Sequence, residues 1–328
     1  MAETGGEERY MKIYMAPMEG ITGHVYRRAY FHHFGQIDRY YMPFLSSTGL
    51  NYKEIRDIDP ENNAGMDVVP QILTNHADIF LELAEMVKDL GYTEVNLNLG
   101  CPSGTVTAKG RGSGFLRNLP ELEIFLDEIF EKSVLPISIK TRVGYESEAE
   151  WPEILGLLLR YPCTEMIIHP RLRKDLYKGS VRPDAYALAV EQAGQMEKAS
   201  GRHLVLCYNG DINTPQDYEA VLKQFPDTER VMLGRGLIGN PGLAGELRGE
   251  APMNRDQLEG FLDELLREYK KIIPEDKNTL FRLMEVWSYL ARSFPNGEKV
   301  LKKIRKCKSL TEYRVLVAGA LEDYILPC

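Results

Sequence analysis

The stretch "ADIFLELAEMVKDLGYTEVNLNLG" (77–100) decides the fold. Residues 77–91 carry apolar side chains at helical spacing, and "EVNLNLG" (94–100) then reads as a strand closed by a glycine. The pattern recurs at once. "LPELEIFLDEIFEKS" (119–133) has the same helical period, with Asn118 as a candidate N-cap and acidic residues in the first turn, and "PISIKTRVG" (136–144) follows as the next strand.

Working outward, similar apolar runs stand at 12–18, 39–44, 68–73, 165–171, 203–210 and 230–237. With the two above that makes eight, most beginning about 26 to 30 residues after the one before. Eight strand–helix units predict an α/β chain folded as a (β/α)8 TIM barrel, its parallel strands buried on both faces. A doubly wound open sheet is the structural alternative. It asks for G-x-G-x-x-G after the first strand, and "APMEGITG" (16–23) lacks that spacing. Past residue 237, "IGNPGLAGELRGEAPMN" reads as a link, and only helical patterns follow. The expected organisation is a catalytic barrel over 1–245 and a C-terminal helical domain over 246–328.

The chain of 328 residues carries a net charge of −8, which by itself argues against nucleic-acid binding. The charge is uneven. Residues 251–328 hold 14 Lys and Arg against 12 Asp and Glu, or +2, leaving −10 for the rest. Five basic residues fall in "LKKIRKCKSL" (301–310), among them Lys302, Lys303, Arg305 and Lys306. No apolar run approaches the ~20 residues of a membrane span. "MAETGGEERYMK" lacks the apolar centre of a secretory signal. The five cysteines include no C-x-x-C pair, which argues against a zinc site or a disulfide framework. A cytoplasmic, monomeric protein without a metal is the expectation.

In barrels of this kind the active site sits at the C-terminal strand ends. Those ends carry Pro17 and Met18; Gln71; Asn98 and Cys101; Lys140 and Arg142; His169 and Arg171; Asn209, Gly210 and Asp211; Gly234 and Arg235. Each has an ordinary structural reading as a turn or strand exit. One register would nonetheless aim them all at a single mouth. Glycines at the last two ends let backbone N–H groups approach a phosphate, with Arg235 adding charge. Gln71, Lys140 and His169 could then meet a polar ring, so the set suits a phosphorylated, ring-bearing cofactor. "PSGTVTAKGRGSG" (102–114), with Lys109 and Arg111, reads as a mobile loop able to close over a substrate.

Several of these segments resemble the tRNA-dihydrouridine synthases, flavoproteins that reduce uridine in tRNA. The resemblance rests on "APMEGIT…YRR", "VNLNLGCPSGTVTAKGRGSGFL", "SIKTRVG", "IIHPRLRKDLYKG", "YNGDI" and "MLGRGLIGNP", in the family's order. It departs at Gly23, where many members have Asp, and at Pro170, where Gly is frequent. The resemblance implies FMN as cofactor and NADPH or NADH as reductant. It implies that Pro17, Met18, Gln71, Asn98, Lys140, His169, Asn209, Gly210, Asp211, Gly234 and Arg235 hold the flavin, and that Cys101 is the proton donor. Arg142 and Arg171, together with Lys109, Arg111 and the 301–310 run, would face substrate or the RNA backbone. The alternatives are an FMN barrel acting on a free small molecule, as dihydroorotate dehydrogenases do, and a tRNA-binding protein without catalysis.

Overall fold

The computed structural model describes residues 11–322. Its sheet is wholly parallel: β1 (Lys12–Met15), β2 (Arg39–Tyr41), β3 (Val68–Val69), β4 (Gln71–Ile72), β5 (Val95–Leu99), β6 (Ile137–Arg142), β7 (Glu165–His169), β8 (Val205–Tyr208) and β9 (Arg230–Leu233). The order is β3-β2-β1-β9-β8-β7-β6-β5-β4, so the two ends of the sheet are neighbours in the chain. The eight expected strands are all present, and the third is split in two. Pro70, which has no N–H to give a ladder, stands at the break. Its carbonyl still accepts from the Asn96 N–H at 2.9 Å. β3 pairs with β2 and β4 with β5, and a bridge from Leu45 to Ile72 completes the wall. This closure excludes the open doubly wound sheet.

Strand alternation divides the core into two layers. Val95, Leu97 and Leu99 of β5, like Ile137 and Ile139 of β6, face outward against the helices. Tyr14, Tyr41, Val69, Ile167, Cys207 and Met232 pack together inside the barrel. One pleat step further along β7, β8 and β9 lie His169, Asn209 and Gly234. The same alternation puts Asn96, Asn98 and Lys140 on the inner face. Helix Ala77–Asp89 and helix Leu119–Lys132 form where the apolar period predicts them. Asn118 caps the second, its side chain accepting from Glu121 N–H at 3.4 Å.

Two expectations need correction. The run 230–237 is not all strand, because Arg235–Gly239 turns helical directly after Gly234. The glycine-rich segment after Cys101 is not an open loop either. It folds into a helical turn, Gly104–Thr107, and a 3-10 segment, Gly112–Arg117. Its glycines serve close packing: a Cβ on Gly114 would lie 2.7 Å from the Thr107 backbone, and one on Gly112 2.9 Å from the Cys101 carbonyl. Exposure is concentrated at its start, Ser103 to Thr105, and at the tip around Ala108 and Lys109.

Beyond 246 the regular elements among the described residues are all helical, joined by short links. Helix Arg255–Ile272 lies against helix His24–His33, where Phe261 packs edge-on to Tyr26 at 5.4 Å and to Phe34 at 5.3 Å. Helices Asp276–Leu290, Gly297–Ile304 and Leu310–Glu322 follow, and their buried side chains join the outer core of the barrel. Among the described residues no helix is long and apolar enough to cross a membrane.

Candidate active site

The C-terminal strand ends open into one cavity of about 570 Å³. All eleven residues expected at the cofactor line it, and so do Cys101 and Arg142. Arg171, Lys109, Arg111 and the 301–310 run do not. Several lining side chains were not singled out in the sequence, among them two tyrosines. Tyr177 comes from the loop after β7, and Tyr289 from helix Asp276–Leu290.

A chain of amides sets the position of Cys101. Asn96 Nδ2 donates to Ser138 Oγ at 3.0 Å, Gln71 Nε2 to Asn96 Oδ1 at 2.7 Å, and Asn98 Nδ2 to Gln71 Oε1 at 2.7 Å. Asn98 Oδ1 then accepts from the backbone N–H of Gly100 and of Cys101, at 3.0 and 2.9 Å. The side chain of Asn98 therefore shapes the turn. Gly100 has no left-handed φ, and a Cβ there would come no closer than 3.6 Å to its neighbours. Beyond the cysteine, Ser113 donates through N and Oγ to the Cys101 carbonyl, at 3.1 and 2.8 Å. Burial pushes the Cys101 thiol up from its usual value, against the opposing pull of the Ser103 N–H. The thiol is thus held in its protonated form.

Arg142 is almost wholly buried. Its guanidinium donates to the carbonyls of Gly100, Leu172 and Leu176 at 3.0, 2.7 and 2.7 Å. It ties the turn before Cys101 to the loop that carries Tyr177. Arg171 is also buried. It donates to both Asp211 oxygens, to Oδ1 at 2.8 Å, and to the Gly179 carbonyl at 2.6 Å. Arg235 Nη2 reaches the same Asp211 Oδ1 at 2.5 Å. Burial favours protonation of Asp211, yet the two arginines hold its carboxyl below the usual range. Lys109 is exposed, Arg111 donates to Asn75 Oδ1 at 3.3 Å, and Lys302, Lys303, Arg305 and Lys306 stand exposed around buried Ile304.

The inner end of the cavity is cationic. Lys140 Nζ has no hydrogen-bond partner among the described residues, and burial, then the charge of Arg142, lowers its pKa to about 8. His169 is held neutral by burial and by the cations Arg142, Lys140, Arg171 and Arg235. Gly234 is open toward the cavity, with only Ala16 and Met18 near the place of a Cβ. Gly236 is different, since a Cβ there would sit 2.1 Å from the Ile212 carbonyl. That close approach locks the loop after β8 to the start of the helix after β9. An unpartnered ammonium and open glycine backbone beside Arg235, in one cavity, fit a ligand with an electron-rich ring and a phosphate.

A family model described as dihydrouridine synthase matches residues 14–317, from within the first strand to within the last helix. The chain belongs to the dihydrouridine synthase family. Among its relatives, "Probable tRNA-dihydrouridine synthase 2" of Bacillus subtilis is 26% identical over 322 residues, 95% of this chain and 94% of that one. "Probable tRNA-dihydrouridine synthase" of Staphylococcus epidermidis is 24% identical over 307 residues, 92% and 91% of the two chains. Of solved structures, morphinone reductase in complex with tetrahydroNAD aligns with a TM-score of 0.47 at 14% identity, covering 76% of this chain and 90% of that one.

At Gly23 the capping carboxylate comes from elsewhere in the chain. Helix His24–His33 has no side-chain cap of its own. Asp57 reaches in from a later helix to accept from His24 N–H at 2.6 Å and to meet His24 Nδ1 at 3.0 Å. Its Oδ1 would lie 3.2 Å from a Cβ at residue 23, so a carboxylate from elsewhere in the chain stands beside this position.

Proposed function

We propose that this protein is a tRNA-dihydrouridine synthase that uses FMN and NADPH or NADH to saturate the C5–C6 bond of particular uridines. The observation that carries the reading is the pairing, in one cavity, of a thiol held protonated with an unpartnered lysine. Side chains can donate protons but not hydride, so the reduction needs a redox cofactor. FMN, when bound and reduced, supplies the hydride to C6.

The chain's own residues account for the rest. Lys140, Gln71 and His169 would bind the electron-rich ring, the neutral His169 as a hydrogen-bonding group and Lys140 as the charge. Asn209, Gly210, Asp211, Gly234 and Arg235 would surround the ribityl and phosphate, and Pro17 and Met18 would lie against the ring. Cys101 donates its proton to C5 as charge builds on the uracil carbonyls. Asn98 fixes the backbone of that cysteine. Arg142 and Arg171 act one step back, holding the loops rather than the substrate. Residues 246–328 serve as the tRNA-binding domain, and Lys109, Arg111 and the 301–310 run meet RNA phosphates. A cytoplasmic location suits a tRNA substrate.

The test is direct. Purified protein should carry FMN released on denaturation, and should form dihydrouridine in unmodified tRNA with NADPH or NADH. Cys101→Ala should keep the flavin and lose most of the product. Colourless protein that takes up no FMN, or full activity in Cys101→Ala, would sink the reading.

A further inference from the structure

A second cavity, of about 180 Å³, lies at the seam between the barrel and the C-terminal helices. Tyr269, Ile272 and Ile273 give it an apolar side, and Lys53 and Arg56 a cationic one. Tyr52 stands at its edge and is 65% exposed. The Arg56 guanidinium lies 4.3 Å from the centre of the Tyr52 ring and also donates to the Tyr52 hydroxyl. Neither the ring nor the guanidinium face is covered by a further aromatic or carboxylate group among the described residues. Together they form a stacked, charged platform, the guanidinium over the ring, beside an apolar recess.

An ion pair spans this cavity and the catalytic one. Lys53 lines the small cavity, and its Nζ donates to Glu19 Oε1 at 2.6 Å. Glu19 lines the large one. A ligand reaching from one cavity to the other would pass over Lys53.

We propose that the small cavity takes a second nucleobase of the same tRNA, one flanking the target uridine. This rests on the function proposed above. The Tyr52–Arg56 platform stacks on the base, a contact that any base can make through its π face. Lys53 leaves Glu19 for the phosphate that links the two nucleotides. A uridine drawn out of its stack exposes its neighbour, and a pocket for that neighbour offsets part of the unstacking cost. The charge of the rim suits a nucleotide better than an acidic peptide, which would leave the apolar recess unfilled.

The experiment uses FMN-loaded protein, NADPH and unmodified tRNA transcripts. Tyr52→Ala should raise KM for tRNA roughly 5- to 100-fold, the range of a lost base–aromatic stack, with kcat little changed. Tyr52→Phe should restore most of the loss, and Arg56→Gln should fall between. A transcript lacking the base on one side of the target uridine should show the same rise with the unaltered protein and no further rise with Tyr52→Ala. NADPH-driven flavin reduction without tRNA should be equal in all variants. An unchanged KM in Tyr52→Ala, or losses that multiply when the two changes are combined, would overturn the pocket while leaving the function standing. Flavin turnover without any dihydrouridine from the unaltered protein would overturn the function itself, and the pocket with it.

Discussion

The side-chain oxygen of Asn98 accepts the backbone N–H of Cys101 at 2.9 Å, while its amide nitrogen is held by Gln71 at 2.7 Å. One side chain thus connects the polar interior of the barrel to the residue proposed to donate the proton. Asn98→Ala removes the acceptor from Cys101 and from Gly100. A displacement of the thiol by about 1 Å is enough to slow a positioned step about 100-fold. Dihydrouridine formation should therefore fall by roughly 10- to 100-fold in kcat, while flavin reduction by NADPH changes little. Asn98→Asp keeps the acceptor and should recover part of the loss. Full turnover in the alanine variant would remove Asn98 from this role.

The protonation state of Cys101 gives a pH signature. An ordinary thiol ionises near about 8.5, and burial moves this one higher. A proton donor works below its pKa, so the rate should be level through neutral pH and decline only on the alkaline side. A nucleophilic thiolate would show the reverse, with rate climbing as pH rises. Reoxidation of pre-reduced protein by tRNA, followed across pH in a single turnover, separates the two. A rising profile would rule out the acid role.

Lys140 predicts proton uptake on cofactor binding. Its pKa of about 8, set by burial and Arg142, leaves it about half charged at pH 8. A bound anionic or electron-rich ring favours the ammonium, so FMN should bind with net proton uptake near pH 8 and lose affinity as pH rises further. Calorimetry of apoprotein with FMN in two buffers of different ionisation enthalpy measures the uptake. Lys140→Met should abolish it. Equal heats in both buffers would contradict the assignment.

The strand ends were legible because a parallel barrel has one rule for all of them. Side-chain alternation with period two carries Asn98, Lys140, His169, Asn209 and Gly234 to the same inner face, and a common strand direction carries them to the same rim. The break at Pro70 could also be read in principle, since a proline inside an apolar run marks a lost ladder bond. Tyr177 and Tyr289 could not. One belongs to an irregular loop and the other to a helix whose docking depends on tertiary packing, and neither obeys a period that points to the mouth. The hydrogen bonds of Arg142 and Arg171 were not legible for a related reason. A sequence shows that an arginine follows a strand, but not that buried carbonyls or a carboxylate have already taken its donors. The glycines at 112 and 114 read as freedom, whereas here they allow close contact with Cys101 and Thr107.

At the opposite end of the barrel, Glu165 makes stability depend on pH. Its Oε2 accepts from Arg230 at 3.2 Å and Tyr41 at 3.3 Å, while Oε1 is buried with no partner. Burial pushes the carboxyl up to about 7, although Arg230 pulls it down. The raised pKa means that the folded chain keeps a proton which the unfolded chain has lost. The stabilisation is complete below the unfolded value near 4.5 and is lost as pH rises through about 7. The loss is on the order of 3 kcal/mol. Urea unfolding at pH 5 and pH 8 should show a larger drop for the unaltered chain than for Glu165→Gln, whose amide does not titrate. Parallel drops would show that Glu165 ionises freely in the fold.

The basic run predicts how the protein holds RNA. Lys302, Lys303, Arg305 and Lys306 are exposed on either side of Ile304, which anchors the helix in the core. Each cation that neutralises a phosphate adds roughly 0.7 to 0.9 to the slope of log affinity against log salt. Changing all four to Gln should therefore flatten that slope by up to about 3 and weaken tRNA binding at low salt. It should leave kcat at saturating tRNA unchanged, since none of the four lines the catalytic cavity. Fluorescence anisotropy of labelled tRNA over a range of salt concentrations gives the slope. An unchanged slope would mean that the net negative chain gathers its RNA contacts elsewhere on the surface.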